Sequence, residues 1–356
     1  MPRTAPTPEP PEESRLLIPS GSTLINCCCS DSARGAWVPG TVVNVVGDKS
    51  AGKTMLAMSC MAEVAHDERF AHYRLDYRDI EARLNFDIPY LFGDRLASRL
   101  NMGGKIETVE DWLRDLWKIL DDCELRKGPP TIYALDCFDF LTSPEEISKT
   151  KKKSEGEKTK GSYAGARKAG DLTALLRLTI RRLEATKSLL LVISQVRENM
   201  DAGIFDPKLY RGGGYALGHA CTHELWLFSR GKLKKTVRER ERIIGAKTCP
   251  RITKNSLTGK ARETEVNIYY DYGIDDIGSC VDFMVSEGFW KKRVDPKTKK
   301  LSNTIAVPVL GIEGSRSTII QQVEEKGLEV RLRKAVGKAW REIEESMRLN
   351  RKKRFE

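Results

Sequence analysis

Short, continuous apolar runs are spaced along the first two thirds of the chain, and segments with helical spacing separate them. The runs TVVNVV (41–46), TIYALD (131–136) and SLLLVIS (188–194) show no regular polar alternation, which is typical of strands buried on both faces. Further strands are predicted around residues 73–77 and at ELWLF, residues 224–228. These runs predict the strands of a central sheet.

Apolar residues at helical spacing predict helices at 55–65, 108–120 and 166–186. Thr108 and Asp111 have the spacing of a capping start for the second of these helices. Because strands alternate with helices, we expect an α/β fold in which a mostly parallel sheet has helices on both faces. The later β-rich part includes a basic hairpin.

The texture of the sequence changes at both ends. Residues 1–18 are proline-rich and are predicted to form a disordered tail ahead of a core at 19–277. Residues 278–347 predict a small C-terminal α+β module, and residues 348–356 a basic tail.

Composition excludes some classes of protein. The 356 residues are 40% hydrophobic and 31% charged, as in an ordinary globular protein. Since no apolar run approaches the roughly 18 residues of a membrane span and no signal peptide pattern is present, a cytoplasmic protein without a membrane partner is expected. The net charge of +11 favours a polyanionic partner. None of the nine cysteines forms a C-x-x-C pair, so buried reduced thiols are predicted.

The segment GDKSAGKT matches the phosphate-loop pattern G-x-x-x-x-G-K-[ST] and lies between a predicted strand and a predicted helix. Its glycines allow the backbone to curve so that successive N–H groups point at phosphate oxygens, and the helix adds its positive end. The chain is therefore predicted to bind a nucleoside triphosphate through Gly47, Asp48, Lys49, Ser50, Ala51, Gly52, Lys53 and Thr54.

Side chains at this loop predict how the phosphates and a metal ion are held. Lys53 can reach the β- and γ-phosphates, and the Thr54 hydroxyl can bind Mg²⁺. Asp136 closes the TIYALD strand, where a carboxylate can hold the same ion, and Asp139 is a second candidate for that position.

Hydrolysis also needs a group that activates water. Glu81 follows the predicted strand near residues 73–77 and is the candidate base, with Asp79 and Asp76 as alternatives. Gln195 comes directly after SLLLVIS, where its amide can sense the γ-phosphate.

In this order, the segments resemble the RecA family of recombinases, particularly the RecA-like proteins of bacteriophages, through residues 19–345. The resemblance implies a RecA-type P-loop ATPase core with ATP and Mg²⁺ as cofactors, in a bacterial or phage-infected cell. The similar segments are PSGSTLIN (19–26), VPGTVVNVVGDKSAGKT (38–54), YRDIEARLNFD (77–87), IYALD (132–136), LLLVISQVREN (189–199), RGGGYALG (211–218), ITKNSLTGK (252–260) and GIDDIGSCVDFMVSEG (273–288).

The resemblance also implies roles for individual residues. Glu81 lies where the family has its water-activating glutamate, and Lys53 and Gln195 complete the catalytic set. Gln195 matches the glutamine that couples the γ-phosphate to the second DNA-binding loop. Lys254 matches a lysine that reaches ATP on the neighbouring subunit, which implies a homo-oligomeric filament. Ser256 stands where RecA has a second lysine, and Lys260 is a possible substitute.

Two implied loops, at about 142–167 and 196–214, would contact single-stranded and double-stranded DNA, with aromatic side chains stacking on bases. The candidate contacts are Lys151, Lys152, Lys153 and Arg167 in the first loop and Arg197, Phe205, Lys208, Tyr210 and Arg211 in the second. The C-terminal module would gather duplex DNA.

Together with the sequence features, the resemblance implies a DNA-dependent ATPase that assembles on single-stranded DNA and pairs it with homologous duplex in recombination and repair. Two alternatives stay open. One is a RecA-fold helicase-like motor or loader, and the other is a nucleotide-gated DNA-binding or annealing protein with little turnover. Residues 1–18 do not fit the docking helix of RecA, so a filament would need another docking element.

Overall fold

The computed structural model describes residues 15–154, 164–198, 209–211, 214–294 and 301–352. Within these ranges, eleven strands form one sheet and three form a second, small sheet. The strands of the main sheet are β1 Val42–Gly47, β2 Arg74–Asp79, β3 Leu100–Asn101, β4 Thr131–Asp136, β5 Leu189–Glu198, β6 Leu209–Arg211, β7 His223–Val237, β8 Arg240–Asn255, β9 Arg262–Glu263, β10 Val266–Tyr269 and β11 Gly273–Asp275. The small sheet consists of β12 Lys292–Val294, β13 Leu301–Val307 and β14 Ile312–Gly314.

Helices connect the parallel strands of the main sheet. They are α1 Thr23–Ser30, α2 Lys53–His66, α3 Ile88–Arg99, α4 Val109–Arg126, α5 Pro144–Ser154, α6 Ala164–Thr186, α7 Gly214–Ala220, α8 Asp276–Ser286, α9 Arg316–Glu325 and α10 Glu329–Ser346. Across the part of the chain that the structure describes, none of these helices has the length and hydropathy needed to cross a bilayer.

The main sheet is mostly parallel. Its path runs β11-β10-β8-β7-β1-β5-β4-β2-β3, and the pairs from β7 through β1, β5, β4 and β2 to β3 are all parallel. Strands β8, β10 and β11 extend one side in antiparallel pairing. The predicted α/β fold with a small C-terminal α+β part is therefore confirmed.

Helices bury both faces of this sheet. In β5, Leu189, Leu191 and Ile193 join one buried cluster, which also contains side chains of α1, α2 and α8. The intervening Leu190 and Val192 join a second cluster, with side chains of α4 and α6. Because successive side chains of a strand point to opposite faces, a strand covered on both sides is apolar without alternation. This is why SLLLVIS could be predicted as a central strand from its sequence.

Helix α4 forms where its capping residues and apolar stripe predict it. The Thr108 hydroxyl accepts a hydrogen bond from the Asp111 N–H at 3.1 Å, and the Asp111 carboxylate accepts one from the Thr108 N–H at 3.2 Å. These reciprocal bonds satisfy two N–H groups that would otherwise lack partners at the helix start. Trp112, Leu116 and Leu120 are fully buried against the sheet.

The N-terminal segment differs from its prediction. Leu17 and Ile18 are buried, and the Ile18 N–H donates to the Trp37 carbonyl at 2.7 Å, so the predicted tail ends before Leu17. Residues 1–14 lie outside the described residues. The segment between this tail and β1 contains α1, whose Cys27 and Cys28 are buried. The local sequence pattern did not predict this helix, because its burial depends on segments that are distant along the chain.

The prediction of reduced thiols is confirmed. All nine cysteines are free, and all are buried except Cys123, which is half-buried. Burial raises the pKa of Cys29 to about 12, because an ionised thiolate would lose its hydration there. Buried thiols such as that of Cys29 therefore act as small apolar groups of the core.

The C-terminal part packs directly on the core. Helix α10 buries Leu332, Val336 and Trp340 in the same cluster that contains α1 and α2. At the start of α8, Asp276 accepts hydrogen bonds from the Thr23 N–H at 2.6 Å and the Thr23 hydroxyl at 2.7 Å. The two parts of the chain therefore share one apolar core.

An ion cluster attaches α10 to the strand region. Glu344 accepts hydrogen bonds from the Arg262 guanidinium at 2.5 and 2.7 Å and from the Lys260 ammonium at 2.8 Å. Lys260 also pairs with Asp31 at 2.5 Å. The Arg262 and Lys260 hydrogen bonds lower the pKa of Glu344 to about 2. These contacts hold α10 against β9 and the end of α1.

Glu344→Gln is expected to reduce the free energy of unfolding by about 1–3 kcal/mol at pH 7, because charge-assisted hydrogen bonds are lost. The folded-state pKa of Glu344 lies below its ordinary value of 4.5, so its contribution is present above pH 4.5 and is lost as the pH falls towards 2. Urea unfolding of both proteins at several pH values measures this. Glu345→Gln, an exposed neighbour, is the control, and equal unfolding midpoints for the two variants would contradict the assignment.

Candidate functional site

The phosphate-loop segment connects β1 to α2, as its pattern predicts. Gly52 has φ +93°, a left-handed conformation that favours glycine, and a Cβ there would lie 2.4 Å from Ile268 Cδ1. A Cβ on Gly47 would lie 2.9 Å from the Leu227 carbonyl oxygen. Gly52 is therefore required by its left-handed conformation, and Gly47 by the close approach of the Leu227 main chain in β7.

Lys53 begins α2 and lies over the loop. Its ammonium donates hydrogen bonds to the carbonyl oxygens of Gly47 and Asp48, both at 2.8 Å. Burial lowers the pKa of Lys53, and the nearby Asp136 carboxylate opposes this shift. The side chain thus places a cation at the mouth of the loop, where phosphates would bind.

Thr54 and Asp136 meet at the end of the parallel strands. The Thr54 hydroxyl donates to Asp136 Oδ2 at 2.6 Å, and the Tyr77 hydroxyl donates to the same oxygen at 2.6 Å. Burial raises the pKa of Asp136, while the hydrogen bonds from Thr54 and Tyr77 lower it. The two donors keep the carboxylate in one orientation beside the phosphate loop.

Tyr77 is a site residue that the sequence reasoning missed. It is fully buried in β2, and its ring belongs to the apolar cluster around α2. A buried tyrosine hydroxyl usually needs a hydrogen-bond partner, so a tyrosine inside an otherwise apolar strand was the available signal. Which partner it takes is decided by the pairing of β2 with β4.

The oxygen atoms of Thr54 and Asp136 fit a magnesium ion. Mg²⁺ prefers oxygen ligands, and the Thr54 hydroxyl and Asp136 carboxylate supply them. Potential ligand atoms of Glu81, Asp136 and Cys137 also lie within 4.8 Å of one another. Burial raises the pKa of the Cys137 thiol, which donates to Glu81 Oε1 at 3.0 Å. Cys137 therefore acts as a hydrogen-bond donor, and the oxygen atoms are the candidate ligands.

Glu81 and Gln195 are brought into direct contact. The Gln195 amide Nε2 donates to Glu81 Oε1 at 2.7 Å. Gln195 lies on β5 directly beside Gly47, the first glycine of the phosphate loop, in the parallel register of β1 and β5. The candidate base, the candidate sensor and the phosphate loop therefore occupy one edge of the sheet.

The alternative acids have other contacts. Asp79 accepts a hydrogen bond from the Leu84 N–H at 2.8 Å and so shapes the turn after β2. Asp76 is fully buried near the opposite end of that strand, where it accepts from the Thr131 hydroxyl at 2.8 Å. Asp139 accepts from the Gln195 N–H at 2.7 Å. This geometry favours Glu81 as the base and Asp136 as the metal ligand.

Lys254 lies towards the other edge of the sheet. In the register of β7 and β8, Lys254 lies opposite Glu224, near the start of β7. Its ammonium donates hydrogen bonds to the carbonyl oxygens of Gly218 at 2.8 Å and His219 at 3.1 Å. The phosphate loop follows the carboxyl end of β1, which runs parallel to β7. Lys260, the possible substitute, is paired with Asp31 and Glu344 of its own chain, and its role as a substitute stays a prediction.

The candidate DNA-contact residues are placed only in part. Phe205 and Lys208 lie outside the described residues, and six others are placed by backbone alone. The segment predicted as the first loop contains α5, with Lys151, Lys152 and Lys153, and the start of α6, with Arg167. In the second segment, β6 pairs antiparallel with β5, so that Arg197 lies opposite Tyr210 and Val196 opposite Arg211.

The predicted basic hairpin is confirmed as a long two-stranded ribbon of β7 and β8. Residues 230–242 contain seven lysines and arginines against two glutamates, and those basic side chains are exposed. Lys235 and Arg242 are cross-strand partners of like charge. Such a pair destabilises a sheet unless an anion lies nearby, so the ribbon is suited to a polyanion. In the ribbon, β7 continues past its pairing with Gly47, the last residue of β1, and so lies on the side of the phosphate loop.

A parallel α/β sheet with a phosphate loop after β1 and a carboxylate after β4 is the arrangement of P-loop proteins. Among proteins of this class, the chain is similar to bacterial RecA. It is 26% identical over 258 residues to RecA of Caulobacter vibrioides strain NA1000 / CB15N, covering 72% of this chain and 65% of that protein. RecA of Agrobacterium fabrum is 25% identical over 264 residues, with coverage of 72% and 64%.

RecA of Enterococcus faecalis is 24% identical over 290 residues, covering 80% of this chain and 74% of that protein. No family model matches the chain. The chain spans 65% of the length of the Caulobacter relative, so the similarity covers part of a RecA protein. These comparisons support a distant relationship to the RecA family.

Thr54→Ala is expected to weaken binding of Mg²⁺–ATP about 10–100-fold, because Asp136 loses an orienting donor and the metal loses an oxygen ligand. Thr54→Ser keeps the hydroxyl and should bind nearly as well as the wild type. Calorimetric titration with and without EDTA measures this. The difference between the variants should disappear without metal, and a difference that persists in EDTA would contradict the metal role.

Proposed function

We propose that the protein is a DNA-dependent ATPase of the RecA type, related to phage RecA-like proteins, that assembles on single-stranded DNA and pairs it with homologous duplex. The observation that carries this proposal is the hydrogen bond of 2.7 Å between Gln195 and Glu81. This hydrogen bond joins β5 to the candidate base, and β5 leads towards the proposed second DNA-binding loop. Such a contact is suited to an ATPase whose turnover responds to DNA.

The site residues have distinct proposed roles in hydrolysis. The loop N–H groups and Lys53 would bind the phosphates of ATP, and Thr54 and Asp136 would hold Mg²⁺. The ion, when bound, neutralises charge on the phosphates. Glu81 would accept a proton from the attacking water. Its carboxylate already has two donors, the Cys137 thiol and the Gln195 amide, which fix its position.

Gln195 would link the nucleotide to DNA binding. Its amide can donate either to Glu81 or to a γ-phosphate oxygen, so a bound triphosphate would compete for it. Arg197 lies two residues further along β5, opposite Tyr210 on β6. A shift of Gln195 would therefore reposition the base of the hairpin that β5 and β6 form.

The position of Lys254 supports ATP sites shared between subunits. Its place near the amino end of β7 separates it from the phosphate loop of its own chain. An ATP contact by Lys254 would thus have to be made to a neighbouring copy. This arrangement fits a filament in which nucleotide binding and subunit contact are coupled.

Glu81→Gln is expected to lower ATP hydrolysis stimulated by single-stranded DNA about 10²–10⁴-fold, because the amide cannot accept the proton of the attacking water. Affinity for ATP should be retained, since Glu81 is not one of the proposed phosphate ligands. Steady-state turnover and nucleotide titration measure the two quantities.

Glu110→Gln, the same change at an exposed position of α4, is the matched control. Unchanged turnover in Glu81→Gln would exclude Glu81 as the base. Electron microscopy on single-stranded DNA with a slowly hydrolysed ATP analogue distinguishes a filament from a ring or monomeric motor. Negligible turnover with and without DNA would favour an annealing protein.

The ribbon gives a test of DNA binding. Lys235, Arg240 and Arg242 lie on one of its faces in the β7–β8 register. Changing all three to Gln should reduce the magnitude of the log–log salt slope for single-stranded DNA by about 2, since each lost phosphate contact contributes about 0.7. Turnover without DNA should stay unchanged. An equal loss for Arg114→Gln, Lys118→Gln and Arg126→Gln on α4 would show a general charge effect instead.

A further inference from the structure

We propose that Asp139 is a positioning residue that competes with DNA phosphates for Arg197, and so determines how strongly DNA binding depends on nucleotide. This inference rests on the proposed function. It assigns a role to an acid that is neither the metal ligand nor the base, and it names the cation through which that acid acts.

The geometry around Asp139 is asymmetric. Its side chain is 3% exposed, whereas the side chain of Arg197 is 55% exposed. Asp139 Oδ2 accepts the Gln195 N–H at 2.7 Å, and Asp139 Oδ1 accepts a hydrogen bond from the Arg197 guanidinium at 3.2 Å. The carboxylate is held from inside the protein, while its cation is open to solvent. A phosphate from solution can therefore reach Arg197, but not Asp139.

Asp139 belongs to a short segment, residues 136–139, that contacts Thr54, Glu81 and Gln195. Asp136, at the end of β4, accepts a hydrogen bond from Thr54 at 2.6 Å. The next residue, Cys137, donates to Glu81 at 3.0 Å. Asp139 follows in a 3-10 turn at Phe138–Phe140 and holds the main chain of Gln195. A change at the metal ligand is thus connected to the contact that holds Arg197.

The contacts of Gln195 explain how nucleotide would change the competition. Its side chain donates to Glu81, and its main-chain N–H donates to Asp139. If the amide turned to a γ-phosphate, this part of β5 would shift relative to Asp139, and Arg197 two residues further along would shift with it. The pair with Asp139 would then weaken, and Arg197 would bind a DNA phosphate instead.

The test is Asp139→Asn, which keeps the shape and an oxygen acceptor for the Gln195 N–H but removes the charge that holds Arg197. Without nucleotide, affinity for a fluorescent single-stranded oligonucleotide should rise about three- to tenfold. The salt slope should become steeper by about 0.7, the value for one further phosphate contact. With Mg²⁺ and a slowly hydrolysed ATP analogue, affinity should match the wild type, so the dependence on nucleotide shrinks.

A double-mutant cycle tests whether Asp139 acts through Arg197. In an Arg197→Gln background, Asp139→Asn should have no effect on oligonucleotide affinity. Asp94→Asn, the same charge change at an exposed position of α3, is the control for net charge. If Asp139→Asn does not fold, Asp139→Ser, which keeps a hydroxyl acceptor for the Gln195 N–H, provides the same measurement.

The outcomes separate the two proposals. An increase that persists in the Arg197→Gln background, or that Asp94→Asn reproduces, overturns the role of Asp139 while the proposed function stands. If Asp139→Asn leaves the oligonucleotide affinity unchanged while the protein binds DNA in the presence of nucleotide, the role of Asp139 is also overturned and the proposed function stands. A wild-type protein that binds no oligonucleotide under any condition overturns both.

Discussion

The hydrogen bond between Thr54 and Asp136 depends on one constraint, the parallel order of β4, β5 and β1. Parallel strands end at the same edge of a sheet, so residues far apart in sequence meet there. The phosphate loop follows β1, Glu81 follows β2, Asp136 ends β4, and Gln195 lies on β5. Each buried acid at this edge has at least one hydrogen-bond donor, which offsets part of the cost of desolvation. An antiparallel neighbour in place of β5 would separate the sensor from the loop.

Helix α10 and strand β10 contact the elements that form this edge of the sheet. Helix α2 starts at the phosphate loop, and its Glu63 pairs with Arg333 of α10 at 2.6 Å. Ile268 of β10 lies against Gly52, so the antiparallel side of the sheet also restricts the loop. The C-terminal helices are thus part of the same packed body as the nucleotide site.

The sign of the charge differs between the candidate site and the exposed ribbon. Acids are concentrated inside the site, where Asp136, Glu81 and Asp79 lie close enough that Glu81 and Asp79 help to raise the pKa of Asp136. A cluster of buried carboxylates favours a bound cation. The exposed ribbon of β7 and β8 carries the opposite sign, with seven basic residues in 230–242. A metal inside and a polyanion outside are the partners that this arrangement would stabilise.

Local physics made several features readable from sequence alone. A strand buried on both faces has a continuous apolar run, a capping pair such as Thr108 and Asp111 has a fixed spacing, and a phosphate loop needs its glycines in order. The buried helix α1, the Tyr77 contact with Asp136, and the use of Lys260 in an ion cluster were not readable. Each depends on which distant segment lies beside it. The sequence by itself determined strands β1, β2, β4, β5 and β7, helices α2, α4 and α6, and the candidate chemistry. The tertiary structure decided which acids meet, because strand order and helix packing bring together residues that have no relation along the chain.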